Sequence, residues 1–160
     1  MQTLNPNEFR ISGLGNKAFV FDHLGIAVTN TQRFLEESLI GAFPSISLEA
    51  KILDPLQDVW VQFLSMSNLR IELLEPASVQ SPVSNVLKDK TYVLHHVCFK
   101  VPNLEQALAL SELQGCILIK SPLPAIALGD RKVAFVMGKD RLLWELLEFE
   151  TSIKLPDQDR

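Results

Sequence analysis

DHLGIAV at 22–28 and HHVCFKV at 95–101 are two apolar, β-branched runs that each carry a histidine, and those histidines, His23 and His96, lie 73 residues apart. IELLEP at 71–76 and WELLEF at 144–149 repeat the interval, because Glu72 and Glu145 are also 73 residues apart. One offset shared by two residue types marks a duplicated module with one His and one Glu per copy. Two neutral imidazoles and two carboxylates form a good donor set for a single divalent ion such as Zn, Mn, Co or Ni, because borderline cations accept nitrogen and ionised oxygen together. An enzyme is expected rather than a passive scaffold.

Working outward, each copy has the same grammar. Residues 20–28 suit a strand, and Asn30 is placed to cap a helix to about residue 40, which Gly41 and Pro44 end. Strands are expected at 46–53, 58–65 and 69–75, parted by the Asp54-Pro55 turn and by Ser67-Asn68. The βαβββ order then returns: a strand at 94–101, a helix at 104–114 after Pro102-Asn103, and strands at 116–120, 132–137 and 142–149. The expectation is one α+β domain over 20–150, with module one at 20–75, a linker at 76–92 and module two at 93–150. SPVSNVLK in the linker reads as a short helix started at Ser81-Pro82. An N-terminal extension (1–19) and a C-terminal tail (151–160) stand outside the repeat as peripheral segments.

Composition sets the limits. A chain of 160 residues, 47% hydrophobic, is long enough for one good core and short for two independent domains. A net charge of −4 offers no basic field for nucleic acid, and no stretch approaches the ~20 apolar residues that span a bilayer. The N-terminus lacks the basic start and apolar run of a signal peptide, so a cytoplasmic protein with a small-molecule substrate is expected. Cys98 and Cys116 make no disulfide framework or CxxC motif and are read as reduced core residues.

Strand alternation sorts the candidates by face. His23 sides with Gly25 and Ala27, His96 with Cys98 and Lys100, Glu72 with Arg70 and Leu74, and Glu145 with Leu143 and Leu147. All four fall on the face away from the helices. A buried carboxylate is costly unless compensated, and a metal would compensate both. Taken singly, a His is more often a hydrogen-bonded core residue and a strand-end Glu more often solvated; spacing and face together favour a metal site. Gln62 is expected to look into the site with Trp60 and Leu64, touching substrate or metal-bound water. Arg70 and Lys100 are candidate substrate-binding groups for a carboxylate or phosphate. His95, matched with Asp22 by the offset, is expected on the opposite face as a structural residue. Lys88 and Lys90 read as solvated linker charges.

A βαβββ repeat with a histidine in each first strand and an acid in each ELLE-like last strand resembles the vicinal oxygen chelate superfamily, which includes glyoxalases, bleomycin resistance proteins and dioxygenases. ELLEP, SPV, LHHVCFKV and RKVAFV are most similar to methylmalonyl-CoA epimerases, with glyoxalase I a more distant relative. The resemblance implies a cupped mixed β-sheet with helices on the outside, and a metal held at its centre by His23, Glu72, His96 and Glu145. It implies a metal-dependent epimerase or isomerase of an acyl-CoA thioester or related α-substituted carbonyl compound, acting through a metal-stabilised enolate. The base of those epimerases falls at Leu56 or Gln57 in an ungapped reading, so Asp54, Asp58 and Glu145 are the catalytic candidates. Two alternatives stand beside it: a glyoxalase I-like lyase or an epimerase of a sugar or secondary metabolite, and a metal-free module that sequesters small ligands. A dioxygenase fits less well because both acid positions are filled. A homodimer is expected, since relatives often pair and exposed edge strands invite it.

Overall fold

The computed structural model describes residues 19–149, so the tail at 151–160 and all of the expected N-terminal extension but Phe19 lie outside the described residues. Module one runs β1 (Val20–Val28), α1 (Thr31–Glu37), β2 (Ser47–Leu48), β3 (Ile52–Asp54), β4 (Val59–Met66) and β5 (Leu69–Pro76). After α2 (Pro82–Leu87) in the linker, module two runs β6 (Tyr92–Val101), α3 (Leu104–Leu113), β7 (Ile117–Ala125), β8 (Arg131–Met137) and β9 (Leu143–Glu148). Both long-strand-to-helix corners use the same device. Asn30 and Asn103, again 73 apart, accept from the backbone N–H of Arg33 and Gln106, each at 2.8 Å.

Three boundaries differ from expectation. Helix α1 stops at Glu37 because Ser38 turns extended, and a 3-10 turn at Ile40–Ala42 follows. The strand expected at 46–53 is split into the short β2 and β3, both paired to β4. Strand β7 continues through Pro122 and Pro124 to Ala125, which an edge strand tolerates because its outward N–H groups need no partner.

The nine strands of the described residues join one open mixed sheet in the order β2-β4-β5-β1-β6-β9-β8-β7, with β3 also on β4. The two modules meet where β1 pairs antiparallel with β6, and each of these has its own module's last strand beside it in parallel, β5 on β1 and β9 on β6. Helices α1 and α3 cover the outer face. Leu64, Ile71 and Leu73 pack with Phe34 and Leu35 of α1, and Val136 and Leu146 pack with Leu104 and Ala107 of α3. The inner face has its own apolar cluster of Val59, Val61, Phe63, Leu74, Cys98, Val133 and Leu147, and α2 closes onto it with Val83 and Leu87. Cys98 is a free core thiol as expected, and Cys116 is free and partly buried.

Candidate metal centre

The site is made by the join between modules. Gly25 pairs with Glu72 on one side and with His96 on the other, while Cys98 pairs with Glu145 on one side and with His23 on the other. Each parallel pairing puts a module's Glu beside its own His strand, and the antiparallel β1–β6 pairing brings the two His strands together. Gly25 leaves room for this convergence, because a Cβ there would run into the His96 imidazole.

His23, Glu72, His96 and Glu145 are all buried, and one ligand atom from each lies within 4.8 Å of the other three. The His23 Nε2 is 3.2 Å from the His96 Nε2. It is 3.4 Å from Glu72 Oε2 and 3.1 Å from Glu145 Oε2, and the His96 Nε2 is 3.3 and 3.2 Å from the same two oxygens. Donors bound at about 2.0–2.2 Å to one ion are separated from their neighbours by roughly 3–3.5 Å, so the spacing fits. The Glu145 Oε2 is buried and, despite these short contacts, has no hydrogen-bond partner of acceptable geometry. Four donor atoms crowd one small volume, and this oxygen is left without a hydrogen bond. A divalent ion is what this donor set suits. Phe63 and Phe135 stand edge-on to His23 and His96, with ring centroids 5.3 and 5.5 Å away, and keep the centre apolar at its margin.

Charge is concentrated here. Burial lowers the His96 pKa, but Glu145 and then Glu72 outweigh it and push it up to about 9; His23 is raised further by Glu72 and Asp22 against the same burial. Burial raises the carboxyls of Glu72 and Glu145, and the imidazoles outweigh it and hold both below the usual carboxylate range. Without an ion the carboxylates thus favour protonated imidazoles, and metal binding competes with that proton.

Two flanking residues differ from the alternation expected of them. A β-bulge inserts Asp22 into β1 between Phe21 and His23, and a second inserts His95 into β6 between Leu94 and His96. Asp22 Oδ2 lies 2.8 Å from His23 Nδ1, and His95 Nδ1 lies 2.9 Å from His96 Nδ1. His95 is therefore beside His96 and not across the sheet from it. Burial and then the neighbouring His96 lower the His95 pKa to about 4, so its ring is neutral at pH 7.

A cavity of about 270 Å³ opens onto the cluster, with Glu72, His96, Glu145 and His95 in its wall alongside Gln57, Lys120, Val59, Val83, Phe135 and other apolar side chains. The other candidates are elsewhere. Asp54 is fully buried and accepts from the backbone N–H of Leu56, Gln57 and Ile126, which ties β3 to the far module. Asp58 has φ 58° and receives the Ser78 hydroxyl. Neither lines the cavity. Gln62 corrects the expected face: it donates to the Glu49 carbonyl at 3.0 Å and lines a groove beside α1, while Val61 and Phe63 look inward. Arg70 and Lys100 do lie on the inner side, where both bind Asp22, at 3.2 and 3.0 Å, and neither reaches the cavity. Lys120 was not foreseen, because its repeat equivalent is Ser47 and no motif marks it.

Two βαβββ modules joined at their first strands around a shared His/His/Glu/Glu cluster are the architecture of the vicinal oxygen chelate class. The chain belongs to the Glyoxalase/Bleomycin resistance protein/Dioxygenase superfamily, whose family model matches residues 22–135. Within it, an uncharacterised protein of Bacillus subtilis (strain 168) is 32% identical over 133 residues, 79% of this chain and 90% of that protein. The mitochondrial methylmalonyl-CoA epimerase of Dictyostelium discoideum is 27% identical over 121 residues, 74% of this chain and 70% of that protein. The structure of Streptomyces coelicolor methylmalonyl-CoA epimerase in complex with 2-nitronate-propionyl-CoA shares the fold, with a TM-score of 0.70 at 20% identity, over 84% of this chain and 100% of that one.

Proposed function

We propose that the chain is a metal-dependent isomerase of the epimerase kind, acting on an acyl-CoA thioester or a related α-substituted carbonyl compound. The observation that carries this is the convergence of four buried donor atoms, one of them an unpartnered carboxylate oxygen, on a cavity that opens to a small molecule. The methylmalonyl-CoA epimerases among its relatives support the reaction class, and the Streptomyces coelicolor complex supports a CoA thioester.

His23, Glu72, His96 and Glu145 would hold one divalent ion, Co, Mn, Zn or Ni. When bound, the ion supplies Lewis acidity that makes a carbonyl's α C–H more acidic. Proton handling falls to the chain. Glu72 and Glu145 are the acids in the cavity wall; Glu145, whose Oε2 has no hydrogen-bond partner, takes the α proton from one face, and delivery of a proton to the opposite face inverts the centre. Val59, Val83 and Phe135 exclude water from the step. Asp54 and Asp58 stand outside the cavity, which keeps a glyoxalase I-like lyase as the second reading: it needs no carboxylate beyond the ligands. A homodimer in the cytoplasm completes the proposal. Ile117, Leu118 and Ile119 on edge strand β7 are more than half exposed and support the pairing. Among the described residues, no helix is long and apolar enough to cross a membrane.

The test is elemental analysis of protein purified without chelator, followed by solvent deuterium uptake into racemic acyl-CoA thioesters. About one divalent ion per chain and exchange at the α carbon are expected, with metal lost in His23→Ala and Glu145→Ala. Metal without exchange would move the assignment to the lyase. A protein that takes no ion after Co or Mn is added back would sink both readings in favour of ligand sequestration.

A further inference from the structure

The two bulged residues, Asp22 and His95, are 73 apart like the histidines they precede, and each touches the Nδ1 of the next ring. For His23 and His96 to offer Nε2 lone pairs to an ion, each must carry its proton on Nδ1, and that proton needs an acceptor. Asp22 Oδ2 supplies one at 2.8 Å and His95 Nδ1 the other at 2.9 Å. The surroundings of the two acceptors differ. Asp22 is an ionised carboxylate, held by Lys100 at 3.0 Å and Arg70 at 3.2 Å, and Arg70 lies 3.7 Å over the Phe63 ring that packs on His23. His95 is an imidazole rather than a carboxylate, and it also lines the cavity.

Resting on the metal centre proposed above, we propose that Asp22 and His95 are positioning residues that fix the tautomers of the two imidazoles and make them unequal donors. Asp22, a carboxylate clamped by Arg70 and Lys100, makes His23 the stronger and more rigid ligand; His95, an imidazole acceptor with no such clamp, leaves His96 the weaker one. Outer partners of this kind orient a ligating imidazole and raise its basicity, and their loss costs metal affinity.

Zinc alone is the probe, with its dissociation constant measured by competition against a chromophoric chelator. Asp22→Ala should weaken zinc about 10- to 100-fold. Asp22→Asn, which keeps an acceptor oxygen and loses the charge, should fall between Asp22→Ala and wild type. His95→Ala should weaken zinc less than Asp22→Ala does, and His95→Asn, whose Oδ1 stands where Nδ1 stood, should recover most of that loss. Long-range proton–nitrogen spectra of the zinc-loaded protein should show both rings with the proton on Nδ1. Wild-type affinity in Asp22→Asn, or a His23 ring protonated on Nε2 in the zinc-loaded protein, would overturn the inference, and Asp22→Asn decides the matter even where Asp22→Ala does not fold. A wild-type protein that takes no zinc would overturn the metal centre and this inference with it. Wild-type zinc binding left unchanged by both Asp22 variants would overturn this inference alone.

Discussion

Gly25 stands between Glu72 on β5 and His96 on β6, and a methyl group at its Cα would meet the His96 ring. Overpacking at such a point costs about 1–3 kcal/mol, and here it also displaces a ligand. Gly25→Ala should therefore lower both the urea midpoint and the metal content of the purified protein. Asp54 makes the opposite case. Its carboxylate serves three part-buried backbone N–H groups, and Asp54→Ala leaves them without that acceptor, a loss on the order of 1–3 kcal/mol. Urea denaturation should report that loss while elemental analysis finds the metal retained. If the folded variant instead keeps its stability and loses α-proton exchange, Asp54 is the base after all.

Each strand-to-helix corner is built by an Asn side chain that closes the first turn on the outer face, far from the inner cluster. Asn30→Ala should cost about 1 kcal/mol, which lowers the melting temperature by about 2–4 °C in a chain of this size, with metal content unchanged. Calorimetry with elemental analysis separates this variant from one that touches the centre. The same elements show how far periodicity carries. Alternation correctly grouped Glu72 with Arg70 and Leu74, because β5 pairs regularly along its length. It failed at His95, because a bulge adds a residue without leaving a mark in the sequence. It failed differently at Gln62. Alternation says which residues of a strand share a face but not which face that is, and for β4 the choice was made by Val59, Val61 and Phe63 packing inward.

At the scale of the molecule, the join between β1 and β6 gathers two imidazoles and two carboxylates where water is excluded, so any ion that binds there binds the folded state alone. Free metal at one hundred times its dissociation constant should stabilise the protein by about 2.7 kcal/mol. Chelator should accordingly lower the melting temperature by several degrees, and excess metal should restore it. The shift should shrink as pH falls. His96 holds its proton up to about pH 9 in the ion-free site, so lower pH favours the proton that a metal must expel.

The sequence by itself determined the duplication, the βαβββ order of each module and the His/Glu pair that each contributes, because a shared 73-residue offset and period-two alternation are local and survive in one dimension. The tertiary structure decided what surrounds those four side chains. The pairing of β1 with β6, the bulges that turn Asp22 and His95 toward their neighbouring rings, the burial of Asp54 at the end of β3 and the entry of Lys120 into the cavity wall all depend on contacts between residues distant in the chain. Such contacts are set by which faces pack together, a choice that no local pattern encodes.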